Sequence, residues 1–317
     1  MLQISNIEFS YLKVKTIFKT NFNLEKGKNL VLIGESGCGK STLLKLIYGL
    51  FDLDKGTIFW NDIEVLGPKY NLIPGMDFIK FLSQDFDLMP FITVAENVGK
   101  HLSNVDLNKK QERILELLEV VEMTEFANIK AKYLSGGQMQ RVAIAGVLVL
   151  EPELLLLDEP FSHIDNFRKN SLRRKLFDYF KLKNITTIIA THDSTDVLSF
   201  SDEVLILKSG KIIEKGTPKN IYNSPKSVYI ASLFGDVNEI SSNYFNEKND
   251  ESILLYPHQL EVVKQSKLKV TVNKTYFRGS HFLIECNYEK GILFFENKTN
   301  IDLETVVFLN KKKPSHN

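Results

Sequence analysis

The chain has 317 residues, 43% of them hydrophobic and 25% charged, with a formal net charge of +1: enough length for about two globular domains, and no basic excess to mark a nucleic-acid partner. Two cysteines, Cys38 and Cys286, are too few for a disulfide framework and fit a reducing compartment. Met1 to Ser10 lacks the basic and apolar regions of a secretory leader, and the longest apolar run, Val142 to Leu150, falls well short of the roughly 18 residues of a membrane span, so a cytosolic chain that crosses no membrane unaided is expected.

Ile4, Ile7 and Phe9, then Phe22 and Leu24, alternate as in strands before a turn at Glu25-Lys26-Gly27. Asn29 to Ile33 reads as a buried strand that runs into a glycine loop, after which Leu43, Leu44, Ile47 and Leu50 recur at helical spacing. From about residue 85 to 150 the pattern is that of an inserted helical subdomain, with Ile114, Leu117, Leu118 and Val121 on one apolar face. Strand-like runs return at Leu154 to Leu157, Thr186 to Ala190 and Val204 to Leu207, with a basic amphipathic helix from about Phe167 to Phe180. Strands alternating with helices predict an α/β fold with a mostly parallel sheet over residues 1–235. A polar linker with Ser241-Ser242-Asn243 and Asn246 to Asp250 follows. Short period-two segments such as Leu268 to Val272, with turns at Arg278-Gly279-Ser280 and Glu289-Lys290-Gly291, then predict a small all-β barrel over residues 250–310. Lys311-Lys312-Lys313 reads as a solvated tail.

The glycine loop is Gly34-Glu35-Ser36-Gly37-Cys38-Gly39-Lys40-Ser41-Thr42, between a strand and a helix. Its glycines let successive backbone N–H groups converge on phosphate oxygens, and the helix N-terminus adds its positive dipole end. Lys40 reaches the β and γ phosphates, and Ser41 can ligate Mg²⁺. Cys38 reads either as a reactive thiol at a helix N-terminus or as a small residue that binds through its backbone. Leu154 to Leu157 ends in Asp158-Glu159, two carboxylates where ligands gather in open α/β sheets: Asp158 is the candidate Mg²⁺ partner and Glu159 the candidate general base. Leu134-Ser135-Gly136-Gly137-Gln138 precedes an apolar helix and offers a second set of helix-N-terminal donors, for which head-to-tail pairing of two copies is the simplest use. His192, after a strand, can donate a hydrogen bond to a γ-phosphate.

With these motifs in this order, residues 1 to 235 resemble the ATP-binding subunits of ABC importers. The resemblance implies that Tyr11 stacks on adenine, that residues Gly34 to Thr42 form the Walker A loop, and that Gln84 senses Mg²⁺ and the γ-phosphate. It likewise implies that Leu134 to Gln138 is the signature motif, Leu154 to Glu159 the Walker B strand with its catalytic glutamate, Ser162 to Asp165 the D-loop and His192 the switch histidine. Two ATP molecules would lie between two subunits, each site completed by Ser135 and Gly137 of the opposite chain. Gln84 to Pro90, leading to Thr93 to Val98, is similar to the importer surface that receives a membrane permease. Asp158 to Ser162 is similar to the form in importers of sugars, polyamines and ferric iron, and the C-terminal region, with Tyr256 to Leu260 and Phe277-Arg278-Gly279, looks like their TOBE barrel. The implied setting is a homodimer on the cytoplasmic face of the membrane, with a permease and an extracytoplasmic substrate-binding protein. Gly146 departs from the family's usual Arg, and His163-Ile164 from its usual Ala-Leu.

The competing readings are a soluble ABC ATPase acting on nucleic acid or the ribosome, and an oligonucleotide-binding C-terminal barrel. One glycine loop, no extended heptads and near-neutral charge argue against both, and no nucleic-acid partner is expected. The transported substrate has no signature in these residues.

Overall fold

The structure, a computed structural model, describes residues 1–245 and 251–312. Asn246 to Asp250 of the expected linker, and the tail from Lys313, lie outside the described residues. The chain forms two compact units, Met1–Pro218 and Lys219–Asn317.

In the first unit, β1 (Leu2–Tyr11) and β2 (Val14–Leu24) pair antiparallel, β3 (Asn29–Ile33) is buried along most of its length, and α1 (Lys40–Tyr48) follows the glycine loop. Next come β4 (Lys55–Trp60), β5 (Ile63–Glu64) and β6 (Ile79–Leu82), then α2 (Val94–Gly99), α3 (Leu107–Val120) and α4 (Gly136–Leu148). The unit closes with β7 (Leu154–Asp158), α5 (Asn166–Leu182), β8 (Thr186–Thr191), α6 (Ser194–Phe200), β9 (Glu203–Lys208) and β10 (Lys211–Gly216).

The main sheet has the order β10-β9-β3-β8-β7-β6, parallel from β6 to β9 with β10 antiparallel at one edge. A second, antiparallel sheet, β2-β1-β4-β5, was not expected. It arises because β1 takes β2 on one side and β4 on the other, so that Leu2, Ile4 and Ile58 face the same core as Leu30, Leu32, Leu154 and Leu156. Helix α1 lies in that core and buries Leu43, Leu44, Leu46 and Ile47. At about 1.5–3 kcal/mol per side chain, this burial holds the helix that carries the glycine loop without help from a side-chain cap.

The second unit contains α7 (Pro218–Asn223), which begins at the boundary, then α8 (Val228–Ser232), β11 (Asn238–Ser241), β12 (Ser252–Leu255) and β13 (Leu260–Val263). It ends with β14 (Leu268–Phe277), β15 (Phe282–Tyr288), β16 (Gly291–Asn297) and β17 (Val306–Lys311). Strands β13-β17-β14-β15-β16 form one antiparallel sheet and β11-β12 a separate pair. Leu268, Val270 and Val272 point inward with period two, onto Ile284, Leu293, Phe295 and Leu309.

The unit is larger than residues 250–310, and its boundary lies earlier than 235. Tyr222 of α7 stacks on Tyr256 with ring centroids 4.4 Å apart and planes 6° apart. Asn238 exchanges hydrogen bonds with the Phe294 backbone in both directions, each 2.7 Å long. Ser241 of the expected linker is paired in β11, and Ser242 is buried. No described helix is long and apolar enough to cross a membrane.

Candidate nucleotide site

The glycine loop turns through two left-handed residues, Gly37 at φ 78° and Gly39 at φ 109°. A Cβ on Gly37 would meet nothing within 4 Å, so the loop leaves open space where a ligand can approach the backbone. Gly39 caps α1 and carries no side chain to accept from the helix's first amides. Those donors are left for an anion. Lys40 is buried and its Nζ donates to the carbonyls of Gly34 at 2.7 Å and Glu35 at 3.1 Å, which aims the ammonium back across the loop. Cys38 packs inward, its Sγ 2.8 Å from where a Gly34 Cβ would stand, and burial pushes its thiol above the ordinary range. Burial makes the thiol a poorer nucleophile and favours the reading in which Cys38 meets a ligand through its backbone.

A cleft of about 200 Å³ runs along this loop, lined by Ser36, Gly37, Gly39, Lys40, Ser41 and Thr42 together with Thr16, Gln84 and Glu159. Strand β7 brings Glu159 to the cleft and Asp158 beside Ser41 because β7 lies parallel to β8, which in turn lies beside β3. Asp158 is buried at 4% exposure; burial raises its carboxyl above the ordinary range against a hydrogen bond from Ser41. Its Oδ1 has no hydrogen-bond partner. A buried carboxylate oxygen without a partner, beside a serine hydroxyl in an anion-binding loop, suits a divalent cation. Among the described residues no cluster of three His, Cys, Asp or Glu could hold a metal alone, so a cation here would take its remaining ligands from phosphate and water.

Glu159 is a non-glycine residue in the left-handed region, at φ 51°. Its N–H donates to the Ala190 carbonyl at 2.9 Å, and its own carbonyl accepts from Gln140 Nε2 at 2.9 Å and Ser162 Oγ at 3.0 Å. These bonds over-determine a backbone that would otherwise cost about 1–3 kcal/mol. The side chain lies 2.8 Å from His192 Nδ1. With Nδ1–H donated to Glu159, a neutral His192 keeps Nε2 as an acceptor, so donation to a γ-phosphate needs a second proton or release from Glu159.

Tyr11 stands at the loop's flank: its hydroxyl is 3.4 Å from Thr42 Oγ1 and its ring meets Phe9 and Phe51 edge-on at 4.8 and 5.4 Å, leaving it 39% exposed. Ser135, Gly137 and Gln138 do not line the cleft of their own chain. Ser135 and Gln138 instead form a capping box on α4, Ser135 Oγ accepting from Gln138 N and Gln138 Oε1 from Ser135 N. Gly137 presses on the D-loop, since a Cβ there would be 2.7 Å from the His163 carbonyl.

Two residues of this region escaped the sequence reading. Gln140, fully inside α4, bonds the Glu159 carbonyl through Nε2 and accepts from His163 N at 3.0 Å, tying the signature helix to the end of β7. A polar residue among the apolar positions of that helix was the available signal. Arg173 of α5 is 2% exposed; its Nη2 donates to Asp193 at 2.6 Å, its Nε forms an unaligned ion pair with Asp196 at 2.6 Å, and its guanidinium lies 5.3 Å from the Phe161 ring centroid. It thus bridges the residue after His192 to the segment after Glu159. No local pattern distinguishes it from the helix's other basic residues.

A glycine loop opening a helix with no side-chain cap, with two carboxylates ending a parallel strand of the same sheet, defines a nucleotide-hydrolysing P-loop protein. The family described as ABC transporter matches residues 17–162. The spermidine/putrescine import ATP-binding protein PotA of Clostridioides difficile (strain 630) is 31% identical, over 96% of this chain and 93% of the relative. Among solved structures, CbiO1 from Clostridium perfringens, part of the ABC transporter complex CbiONQ, matches with a TM-score of 0.63 and 28% identity over 70% of this chain and 90% of that one. A dimeric post-hydrolysis state of the ATP-binding cassette MJ0796 bound to ADP and Pi matches at 0.61, also 28% identical, over 69% of this chain and 99% of that one. The chain belongs to the ABC transporter family and is one of its ATP-binding, ATP-hydrolysing proteins.

Proposed function

We propose that the chain is the ATPase subunit of an importer, acting as a head-to-tail homodimer on the cytoplasmic face of the membrane and coupled to a separate permease. The observation that carries this reading is the convergence of Lys40, Ser41, Gln84 and Glu159 on one cleft, with His192 held on Glu159. Tyr11 takes the adenine on its exposed face. The amides of Gly37 to Thr42 and the Lys40 ammonium bind the β and γ phosphates. Ser41, Asp158 and Gln84 are the residues that would hold Mg²⁺, which when bound with the nucleotide neutralises phosphate charge. Glu159 accepts a proton from water as the water oxygen bonds to the γ-phosphorus and the bond to ADP breaks; His192 keeps the Glu159 carboxylate aimed. Ser135, Gly137 and Gln138 complete the partner's site.

The nucleotide-binding domain is then the unit Met1–Pro218, with its helical subdomain at about 85–150, and a TOBE-like, OB-type barrel lies within the second unit. The barrel supports the dimer and regulates it, because the acid, base and phosphate-binding groups all precede it. PotA's name gives spermidine and putrescine as its cargo, and a polyamine, delivered by an extracytoplasmic binding protein, is the first substrate to test here.

Glu159→Gln should retain ATP binding and lose turnover by about 10²–10⁴-fold. With its permease, the same variant should abolish labelled-spermidine uptake. Turnover near that of the wild type would remove Glu159 from the role of base.

A further inference from the structure

Gln140 is the fifth residue of α4, is 2% exposed and does not line the ATP cleft. Its amide is satisfied on both sides. Nε2 donates to the Glu159 carbonyl at 2.9 Å and, at the longer distance of 3.4 Å, to Ser162 Oγ, while Oε1 accepts from His163 N at 3.0 Å. The amide cannot be turned over, because the Glu159 carbonyl can only accept and the His163 N–H can only donate. A buried position that must donate to one main-chain group and accept from another suits an amide, and an apolar side chain of the same length would leave both groups without that partner.

The two groups held by this one amide are the first and last residues of the turn Glu159-Pro160-Phe161-Ser162-His163. Within the turn, the Glu159 carbonyl accepts from Ser162 N at 3.2 Å and Ser162 Oγ at 3.0 Å. Gln140 is the donor that reaches it from another element. It fixes the peptide after Glu159, as the 2.9 Å bond from Glu159 N to the Ala190 carbonyl fixes the one before. Between these two anchors Glu159 keeps φ 51°, a conformation that a residue with a side chain adopts only when its surroundings impose it. At the far end of the turn, α4 comes close to His163 because Gly137 has no Cβ, which would stand 2.7 Å from the His163 carbonyl. The turn is thus clamped to the helix at both ends, and the direction of the Glu159 carboxylate depends on the clamp.

We propose that Gln140 is a positioning residue for ATP hydrolysis: its side-chain amide holds the Glu159 turn on α4 and thereby aims the base at the attacking water. This rests on the reading of Glu159 as the general base. A carboxylate whose backbone can relax from the left-handed region carries its side chain away from the line between water and γ-phosphorus, which lowers the rate of the chemical step and leaves nucleotide binding alone.

The test compares the full-length wild-type chain with Gln140→Met and Gln140→Glu, reading kcat and KM for ATP from pH 6 to pH 8.5, with melting temperature and nucleotide affinity as folding controls. Gln140→Met keeps the volume and removes both bonds; it should lower kcat roughly 5- to 100-fold with KM unchanged, by a factor that does not move with pH. In Gln140→Glu the ionised carboxylate still accepts from His163 N but cannot donate to the Glu159 carbonyl, whereas the protonated acid can do both. Burial favours the protonated acid, so its kcat relative to wild type should climb toward one as pH falls; a ratio near one at every pH would mean that the acid stays protonated, and would equally show that the donor is what matters. The titratable groups beside the amide, Glu159, His163 and His192, are common to all three chains and cancel in that ratio. A Gln140→Met chain with kcat within twofold of wild type overturns the proposal. So does a folded Gln140→Glu chain as slow as Gln140→Met at every pH, since packing alone would then explain both. Should Gln140→Met not fold, the climb of Gln140→Glu with falling pH decides alone. If Glu159→Gln is inactive while Gln140→Met is normal, only the positioning role fails; if Glu159→Gln turns over like wild type, the reading of the base fails and the positioning role with it.

Discussion

Replacing Arg173 with methionine keeps most of the side-chain volume and removes the charge between Asp193 and Asp196. Asp196 is 1% exposed and burial already pushes its carboxyl up; without Arg173 it becomes an uncompensated buried charge. Breaking such a pair from one side costs about 3–5 kcal/mol. For a unit the size of Met1–Pro218, where 1 kcal/mol moves Tm by about 2–4 °C, the variant should melt roughly 6–20 °C lower near neutral pH. The loss should depend on pH with a definite sign. A carboxyl whose folded pKa is raised stabilises fully below its unfolded pKa and loses that contribution as pH rises through its folded one, so the deficit should be largest at pH 7.5 and smaller at pH 5. Adding Asp196→Asn to Arg173→Met should recover part of it at pH 7.5. Differential scanning calorimetry of the three chains at both pH values decides the matter. A deficit equal at the two pH values, or no recovery in the double variant, would mean that the cost is packing and that the charge argument is wrong.

Asp158→Asn should act in opposite directions on stability and activity. Burial raises the Asp158 carboxyl, so without nucleotide the Asn variant should melt higher than wild type at pH 7.5, by a margin that narrows toward pH 4, while Mg²⁺-ATP turnover falls; a lower melting temperature at pH 7.5 would mean that the carboxylate is well paired. Tyr11→Ala should weaken nucleotide binding by about 1–3 kcal/mol in a titration with a fluorescent ATP analogue. An unchanged affinity would move the adenine platform to Phe18, since Phe9 is buried. Gly137→Ala places a Cβ 2.7 Å from the His163 carbonyl and should cost about 1–3 kcal/mol by chemical denaturation, whereas Gly136→Ala, whose Cβ would stand 3.9 Å from the His163 Cβ, should be tolerated. Equal costs at both positions would show that helix propensity, not the D-loop, sets the requirement.

The chain's local features were legible in the sequence wherever contiguous residues do the work. The turn from β3 through Gly37 and Gly39 into α1 depends on backbone freedom at named positions, and the strand ending in Asp158-Glu159 on an unbroken apolar run; both appear where they were expected. The period-two pattern of Leu268 to Val272 was likewise enough to give β14 its buried face, because a strand's side chains alternate whatever lies beyond it.

What only the tertiary structure decided are the relations between segments far apart in the chain. The pairing of β1 with β4, the reach of Gln140 to Glu159 and His163, the bridge of Arg173 from Phe161 to Asp193, and the edge of Phe86 on His163 each require a fold to bring two neighbourhoods together. The boundary near Pro218 is of the same kind. Composition shifts after Phe234, but Tyr222 and Asn238 take their partners at Tyr256 and Phe294, and a domain ends where contacts end. Ser41 and Glu159 were each recognisable alone, and Gln84 only through the resemblance; their shared cleft exists because β3, β8, β7 and β6 lie side by side and present their C-terminal ends together.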